Sequence, residues 1–471
     1  MKRVRVVVGC LLLFIAFLGS GLRAAEPPRL VLVVSVDQMR ADYLDRFQFS
    51  RGFARLKSEG AIFTNTFHGH VPTETGPGHA TILTGQFPNV HGIAGNEWWD
   101  HVTRRKVPCM TDAVHGLGPQ NLLAYTVGDA LKARDPRTRV AAVALKDRSA
   151  ITLAGKRGDL AVWFEKSIGR AATSTFYGPT PDWVTALALE TPRIYSPAGD
   201  ELVLAMATQA IDRLALGEDD VTDLLGVSFS STDYVGHRFG IDGPQLAQQY
   251  AALDGVLERL LAKAEARAGK GRVIVALTSD HGVVPAPEDP SGVAMKVRRY
   301  DVNAYAATLE AQLQKIAPTP QGRRWIVANE APNLYLDREL ARERKVEWPE
   351  FLRKAAKAAR SLPGVEAVYT AETIGDSDPV RRGYYPGRSG DLVVIPEYAA
   401  LFTDHPDGTS HGTPHDYDSH VPLILWGPAF KPGIYPERAF VVSLAPTLAK
   451  VLGLPAWSSP PEGVVLDAAL R

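Results

Sequence analysis

Only two cysteines occur in 471 residues, Cys10 and Cys109. That excludes a disulfide framework and any metal site built from several thiolates. Excess charge is missing too: 52 basic side chains balance 52 acidic ones, so no electrostatic footprint for nucleic acid exists. There is one long apolar run, which rules out a polytopic membrane protein. Internal repeats and low-complexity stretches are absent. Hydrophobic residues at 45% and charged residues at 22% exclude disorder as the main state. At roughly 100–200 residues per domain, the length fits two or three domains, or one large α/β domain with insertions.

The apolar run opens the chain. Lys2, Arg3 and Arg5 precede 14 mostly apolar residues, Val6 to Gly19, and small residues follow as far as Ala25. This reads as a secretory signal over residues 1–25, with export to the periplasm or beyond the cell. The competing membrane anchor needs about 20 apolar residues. The cleavage pattern is imperfect, with Arg23 at −3 if the cut follows Ala25. Removing the segment takes away four basic and no acidic residues, which leaves a net charge of −4 and no anchor. Cys109 then has no partner for an internal disulfide and is expected to be buried.

Short β-branched runs at Leu30–Val36, Val140–Leu145, Leu224–Phe229, Val273–Leu277, Leu392–Ile395 and Val421–Leu425 have the length of buried parallel strands. Helical spacing appears at Gln245–Ala266, Ala304–Ile316 and Phe351–Leu362. Alternation of the two predicts an α/β fold around a mostly parallel sheet. Such sheets carry their chemistry at the carboxyl ends of strands. Polar residues able to bind metal stand at those places: Asp37, Asp233 with His237, and Asp280 with His281, while His411 lies between the last two runs.

Each motif has a plainer alternative. Asp37 could cap a helix. Asp233 and His237, four apart, share a helical face and can grip one ion. Asp280 and His281 face one site only if the chain leaves the strand there, a turn that Gly282 permits, or they serve two ions, one each. His405, His415 and His420 compete with His411. Three carboxylates and three imidazoles together suit zinc, with manganese or iron behind it, and divide into two three-ligand sites with open positions. Paired ions suit in-line displacement at phosphorus. Pro77 reads as a first helical position, which puts Thr75 at a helix N-terminus where a phosphate is favoured, or where the threonine is a plain helix cap. Asn96 offers an amide to a phosphoryl oxygen or forms a turn. Lys146 and Arg148, two apart, face one way in extended chain and could neutralise a dianionic phosphate, or form a solvated charge cluster.

The ordered set Val36-Asp37, Pro72-Thr73-Glu74-Thr75-Gly76-Pro77-Gly78-His79, His91-Gly92-Ile93 with Asn96, Asp233-x3-His237-x2-Gly240, Asp280-His281-Gly282 and His411-Gly412 resembles the alkaline phosphatase superfamily. The resemblance is closest to its threonine-nucleophile branch of nucleotide pyrophosphatase/phosphodiesterases and threonine-type alkaline phosphatases. It implies an alkaline-phosphatase-like α/β fold, with a central mostly parallel sheet, helices on both faces and a cap insertion. It implies two zinc ions per chain, one surrounded by Asp37, Thr75, Asp280 and His281, the other by Asp233, His237 and His411. Thr75 matches the nucleophile, and His79 a supporting residue that is not a ligand. Lys146-Asp147-Arg148 resembles the phosphate-binding motif of the monoesterases, as do Arg382-Gly383-Tyr384-Tyr385-Pro386 and the segment Asp416 to Pro422. No Cys/Ser-x-Pro-x-Arg segment follows Asp37, which argues against the sulfatase branch. The expectation is therefore a secreted two-zinc phosphomonoesterase acting on small phosphate esters through a phosphothreonine. Residues 26–471 would form one catalytic domain with its cap within about 284–410, and a monomer is favoured. The alternatives are a phosphodiesterase or nucleotide pyrophosphatase, and an inactive homologue that only binds metal.

Overall fold

A computed structural model describes residues 26–455 and 462–471, so the expected signal segment lies outside the described residues. Among the described residues, a ten-stranded mixed sheet organises the chain. Its order is Gly433–Tyr435, Ala61–Phe67, His420–Trp426, Val273–Thr278, Leu30–Val36, Asp223–Phe229, Val140–Ala144, Leu160–Glu165 and Arg170–Thr173, with Ala439–Phe440 paired to Ala61–Phe67. The middle is parallel: Leu30–Val36 runs beside both Asp223–Phe229 and Val273–Thr278, and Val140–Ala144 continues the run. Their carboxyl ends therefore share one edge.

These strands are apolar throughout because both faces are covered. Leu30, Leu32, Val34 and Val36 enter one core with the helices Pro197–Arg213 and Pro244–Ala268. Val31 and Val33 enter the other, with Thr75–Thr84, Val127–Arg134, Asp147–Ala154 and Leu444–Val451. In the long helix, Leu246, Tyr250, Leu253, Leu257, Leu260 and Leu261 are buried, as their spacing requires.

Two strand expectations need correction. His420–Trp426 belongs to the central sheet but runs antiparallel to both neighbours. Leu392–Pro396 is not in that sheet at all. It joins a four-stranded antiparallel sheet with Ile326–Glu330, Asn333–Leu336 and Val365–Tyr369. A short apolar run records only that a strand is buried on both faces, not which strand lies beside it. This second sheet packs on Val302–Ile316 and Trp348–Arg360 around its own core, which includes Trp325, Phe351 and Leu313. Among the described residues, no helix is long and apolar enough to cross a membrane.

Candidate active site

The parallel strands deliver their polar residues to one edge. Asp37 follows Leu30–Val36 directly, Asp233 and His237 lie on the helix Ser231–Phe239 after the next strand, and Asp280 and His281 follow Val273–Thr278 after one intervening residue, Ser279. His411 arrives on a loop, and Lys146 caps the helix Asp147–Ala154 after Val140–Ala144.

The distances within this group are short. Lys146 Nζ is 2.7 Å from Asp37 Oδ2 and 2.7 Å from Asp233 Oδ2, and it donates to Thr75 Oγ1 at 3.1 Å. His237 Nε2 is 3.0 Å from Asp233 Oδ1, and His411 Nε2 is 3.8 Å from the same oxygen. His281 Nε2 is 3.4 Å from Asp280 Oδ2 and 3.6 Å from Asp37 Oδ1. The His281 and His411 rings stack at 3.6 Å.

Burial pushes the Asp37 carboxyl well above the usual range, and the neighbouring Asp280 adds to this. Burial also opposes charge on Asp233 and Asp280, yet His237 and Lys146 hold the first well below its ordinary value, and His281 and His79 do so for the second. Lys146 is desolvated, but Asp233 and Asp37 keep its pKa above that of an ordinary lysine. Burial, with His281 and His237 close by, holds His411 well below the usual imidazole range.

The donor set fits a cation. Each imidazole is anchored through Nδ1 to a backbone carbonyl: His237 to Thr409 at 2.7 Å, His281 to Gly282 at 2.9 Å, and His411 to Thr73 at 2.8 Å. That anchoring places the proton on Nδ1 and leaves the Nε2 lone pair facing the carboxylates, as metal-ligating histidines do. Asp37 Oδ1 and His281 Nε2 are buried without a hydrogen-bond partner among the described residues. A buried polar atom left so is costly unless something else engages it. Two groups bring ligand atoms within 4.8 Å of one another: Asp233, His237 and His411, and Asp37, Asp233 and His281. The first has the membership the resemblance implied. In the second, Asp233 stands where Asp280 was expected, because Asp233 lies between the two groups and offers an oxygen to each.

Thr75 opens the helix Thr75–Thr84, with Glu74 as its cap. Pro77 is thus the third helical residue rather than the first. The missing N–H is harmless there, because first-turn donors have no intrahelical partner. Gly78 lets this helix sit on the strand end: a Cβ there would meet Asp280 O at 2.1 Å. His79 Nδ1 donates to Thr75 O at 2.9 Å and lies 3.1 Å from Asp280 Oδ2, while Nε2 meets Ser228 Oγ at 2.9 Å. Gly78→Ala is expected to cost about 1–3 kcal/mol through overpacking and to depress turnover by moving Thr75. Denaturant unfolding checks this, and an unchanged midpoint would refute the packing argument. Gly282 also works by close approach rather than by a special turn, since a Cβ there would lie 2.3 Å from Tyr417 O.

A cleft of about 1070 Å³ opens beside His237 and His411 and is lined by Asn96, Arg148, Tyr234 and Glu74 among others. Asn96 Oδ1 accepts from Gly76 N at 2.8 Å, which leaves its NH₂ for the cleft. The same residue's backbone N–H is held by Glu74 Oε2 at 2.8 Å. Lys146 and Arg148 do not share one extended segment: Lys146 is the cap, with extended backbone, and Arg148 is already helical. Lys146 therefore reaches inward to the carboxylates while Arg148 lines the cleft, its Nε buried without a partner among the described residues. The other histidine candidates are elsewhere. The His405 side chain is 71% exposed, His415 Nε2 meets Pro396 O, and His420 Nε2 meets Thr64 O. Cys109 is buried.

A family model described as type I phosphodiesterase / nucleotide pyrophosphatase matches residues 31–418. The chain belongs to this family. It is 30% identical to alkaline phosphatase PafA of Elizabethkingia meningoseptica, covering 92% of this chain and 93% of that one. It is also 30% identical to alkaline phosphatase PhoK of a Sphingomonas species, covering 94% and 92%. A crystal structure of wild-type PafA matches with a TM-score of 0.88 at 28% identity, covering 95% of this chain and all of that one. The fold is thus that of an alkaline-phosphatase-like member of the phosphodiesterase family.

The motifs did not single out Glu74 and Gln38. Glu74 directly precedes Thr75, but nothing in the sequence indicates that it holds Asn96. Gln38 follows Asp37 and adopts φ +66, a backbone state that a glutamine does not advertise.

Proposed function

We propose that the chain is a phosphomonoesterase that transfers the phosphoryl group of an ester to Thr75 and then to water. The observation that carries this reading is the threonine hydroxyl at the start of a helix, 3.1 Å from Lys146 Nζ and beside carboxylates and anchored imidazoles arranged for cations. Asp37, Asp280 and His281, with Thr75, would hold one ion, and Asp233, His237 and His411 the other. Zinc suits these ligands, and two bound ions would supply Lewis-acid stabilisation of the attacking and leaving oxygens. Thr75 Oγ forms a bond to phosphorus as the bond to the ester oxygen breaks, and the alcohol departs. Water then attacks the phosphothreonine, which releases phosphate and regenerates the hydroxyl. Lys146 favours the deprotonated Thr75 oxygen, while Arg148 and the Asn96 amide orient the phosphoryl oxygens from the cleft wall. The same proposal includes export directed by residues 1–25. Residues 26–471 act as one catalytic unit, in which the segment 284–410 caps the cleft through Val302, Asn329 and Phe402.

The name of the family supports a second reading, a phosphodiesterase. A monoester carries two negative charges, whereas a diester replaces one anionic oxygen with a second alcohol group. Lys146 and Arg148 suit the extra charge, since charge-assisted hydrogen bonds are about twice as strong as neutral ones. Losing one such contact in the transition state costs on the order of 10²–10³ in rate. Arg148→Ala, which leaves Lys146 beside Thr75, is therefore expected to lose far more activity on an aryl monoester than on the matched diester at fixed pH and zinc. Equal losses on both would favour the diesterase.

A further inference from the structure

We infer that Gln38 is a positioning residue that ties the two groups of candidate ion ligands together. The inference rests on the metal-dependent reading above, but it concerns the protein's own hydrogen bonds. Gln38 comes directly after Asp37 at the carboxyl end of the central strand and is buried. Its backbone N–H donates to Asp280 Oδ1 at 3.2 Å. Its side-chain Nε2 donates to Asp233 Oδ1 at 2.8 Å. One residue thus restrains a carboxylate from each of two distant chain segments, while its predecessor supplies a third.

Each bond has a distinct consequence. Asp280 Oδ1 also accepts from His281 N at 3.1 Å and Ser279 Oγ at 3.3 Å, so this oxygen is tied to the protein and Oδ2 is left turned toward His281 Nε2. Asp233 Oδ1 is the oxygen nearest both His237 and His411, and Oδ2 faces Lys146. The Gln38 amide therefore fixes which Asp233 oxygen meets the imidazoles and which meets Lys146.

Two backbone facts show that the arrangement is specified rather than incidental. Among the described residues with positive φ, Gln38 is the one buried polar residue that is not glycine. Such a conformation costs a side-chain-bearing residue free energy and persists only where the surroundings over-determine it. Glycine would adopt it freely, so the glutamine holds this conformation against its local preference, with its amide on Asp233 among the contacts that fix it. The facing helix is adapted as well: at Gly236, a Cβ would lie 2.0 Å from Gln38 Oε1. The absence of a side chain at 236 makes the space for the amide at 38.

Gln38→Gly tests this. It relieves the left-handed strain, keeps the backbone bond to Asp280 and removes only the amide on Asp233. The metal-free variant should unfold near the wild-type temperature, because relief of the left-handed strain offsets the lost bond to the buried Asp233 carboxylate. Its zinc affinity, read by competition with a chromogenic chelator, should be about 10–100-fold weaker, as for other groups that orient metal ligands. Gly236→Ala should weaken zinc binding similarly, by displacing the amide while Gln38 is retained. Wild-type zinc affinity in Gln38→Gly would overturn the inference, as would a lowered unfolding temperature with affinity intact, or a wild-type protein that takes up no zinc. The zinc measurements use no substrate. Weakened binding in a protein that prefers diesters would still support the role of Gln38, and only the monoesterase reading would fall.

Discussion

Replacing Thr75 with alanine is expected to abolish nearly all monoester turnover, by a factor on the order of 10⁴ or more, the scale seen when a covalent nucleophile is deleted. Zinc binding should persist, because Asp37, Asp233, Asp280 and the three anchored histidines are untouched. The fold should persist too, since Thr75 sits at the first helical position and alanine suits a helix. Thr75→Ser keeps a hydroxyl within reach of Lys146 and should retain part of the activity. Trapping with labelled substrate should yield a phosphorylated wild-type chain and none from the alanine variant. Normal turnover in Thr75→Ala would place the nucleophile elsewhere. Thr73 would then be the next candidate, although its hydroxyl already donates to Thr413 O at 2.7 Å.

How much of this was legible in the sequence depends on the kind of signal. Asp37, Asp233 and Asp280 could be placed at one edge because each follows a run of buried apolar residues, and parallel strands must end together. A four-residue spacing puts Asp233 and His237 on one face only if the segment is helical, and the structure supplies that helix and closes the pair to 3.0 Å. What failed were inferences about neighbours. The Leu392–Pro396 run carries the burial pattern of a central strand but pairs in another sheet. Lys146 and Arg148 are close in sequence, yet a helix starts between them and sends one to the carboxylates and the other to the cleft. The choice of His411 over His405, His415 and His420 rests on which Nε2 faces Asp233, since those of His415 and His420 meet the Pro396 and Thr64 carbonyls and His405 is exposed, and that depends on loop paths that periodicity does not encode. Gln38 was invisible for a related reason. Its role comes from a left-handed φ and from the missing Cβ of Gly236, almost 200 residues away in sequence.

Chelation is expected to abolish hydrolysis and to lower the unfolding temperature, and zinc should restore both better than manganese or iron. The argument is one of charge. Asp37, Asp233 and Asp280 are buried, and Lys146 is the ammonium among them. Burial and Asp280 already drive the Asp37 carboxyl toward its protonated form. A single lysine cannot balance three carboxylates in so dry a setting, where unpaired charge is expensive. Two divalent cations would reverse the imbalance, and the three Nε2 atoms held inward by Thr409, Gly282 and Thr73 carbonyls would complete their shells. A ligand present at 100 times its dissociation constant stabilises the folded state by about 2.7 kcal/mol. Removal from two sites should therefore be visible by calorimetry as well as by assay. The two readouts separate the roles of the ions. A fall in unfolding temperature with activity intact would make the metal structural, and lost activity with an unchanged unfolding temperature would mean the ions add little to folding stability. Full activity in protein shown to be metal-free would refute the two-ion mechanism, and Lys146, already within reach of Thr75, would then be the group left to activate the hydroxyl.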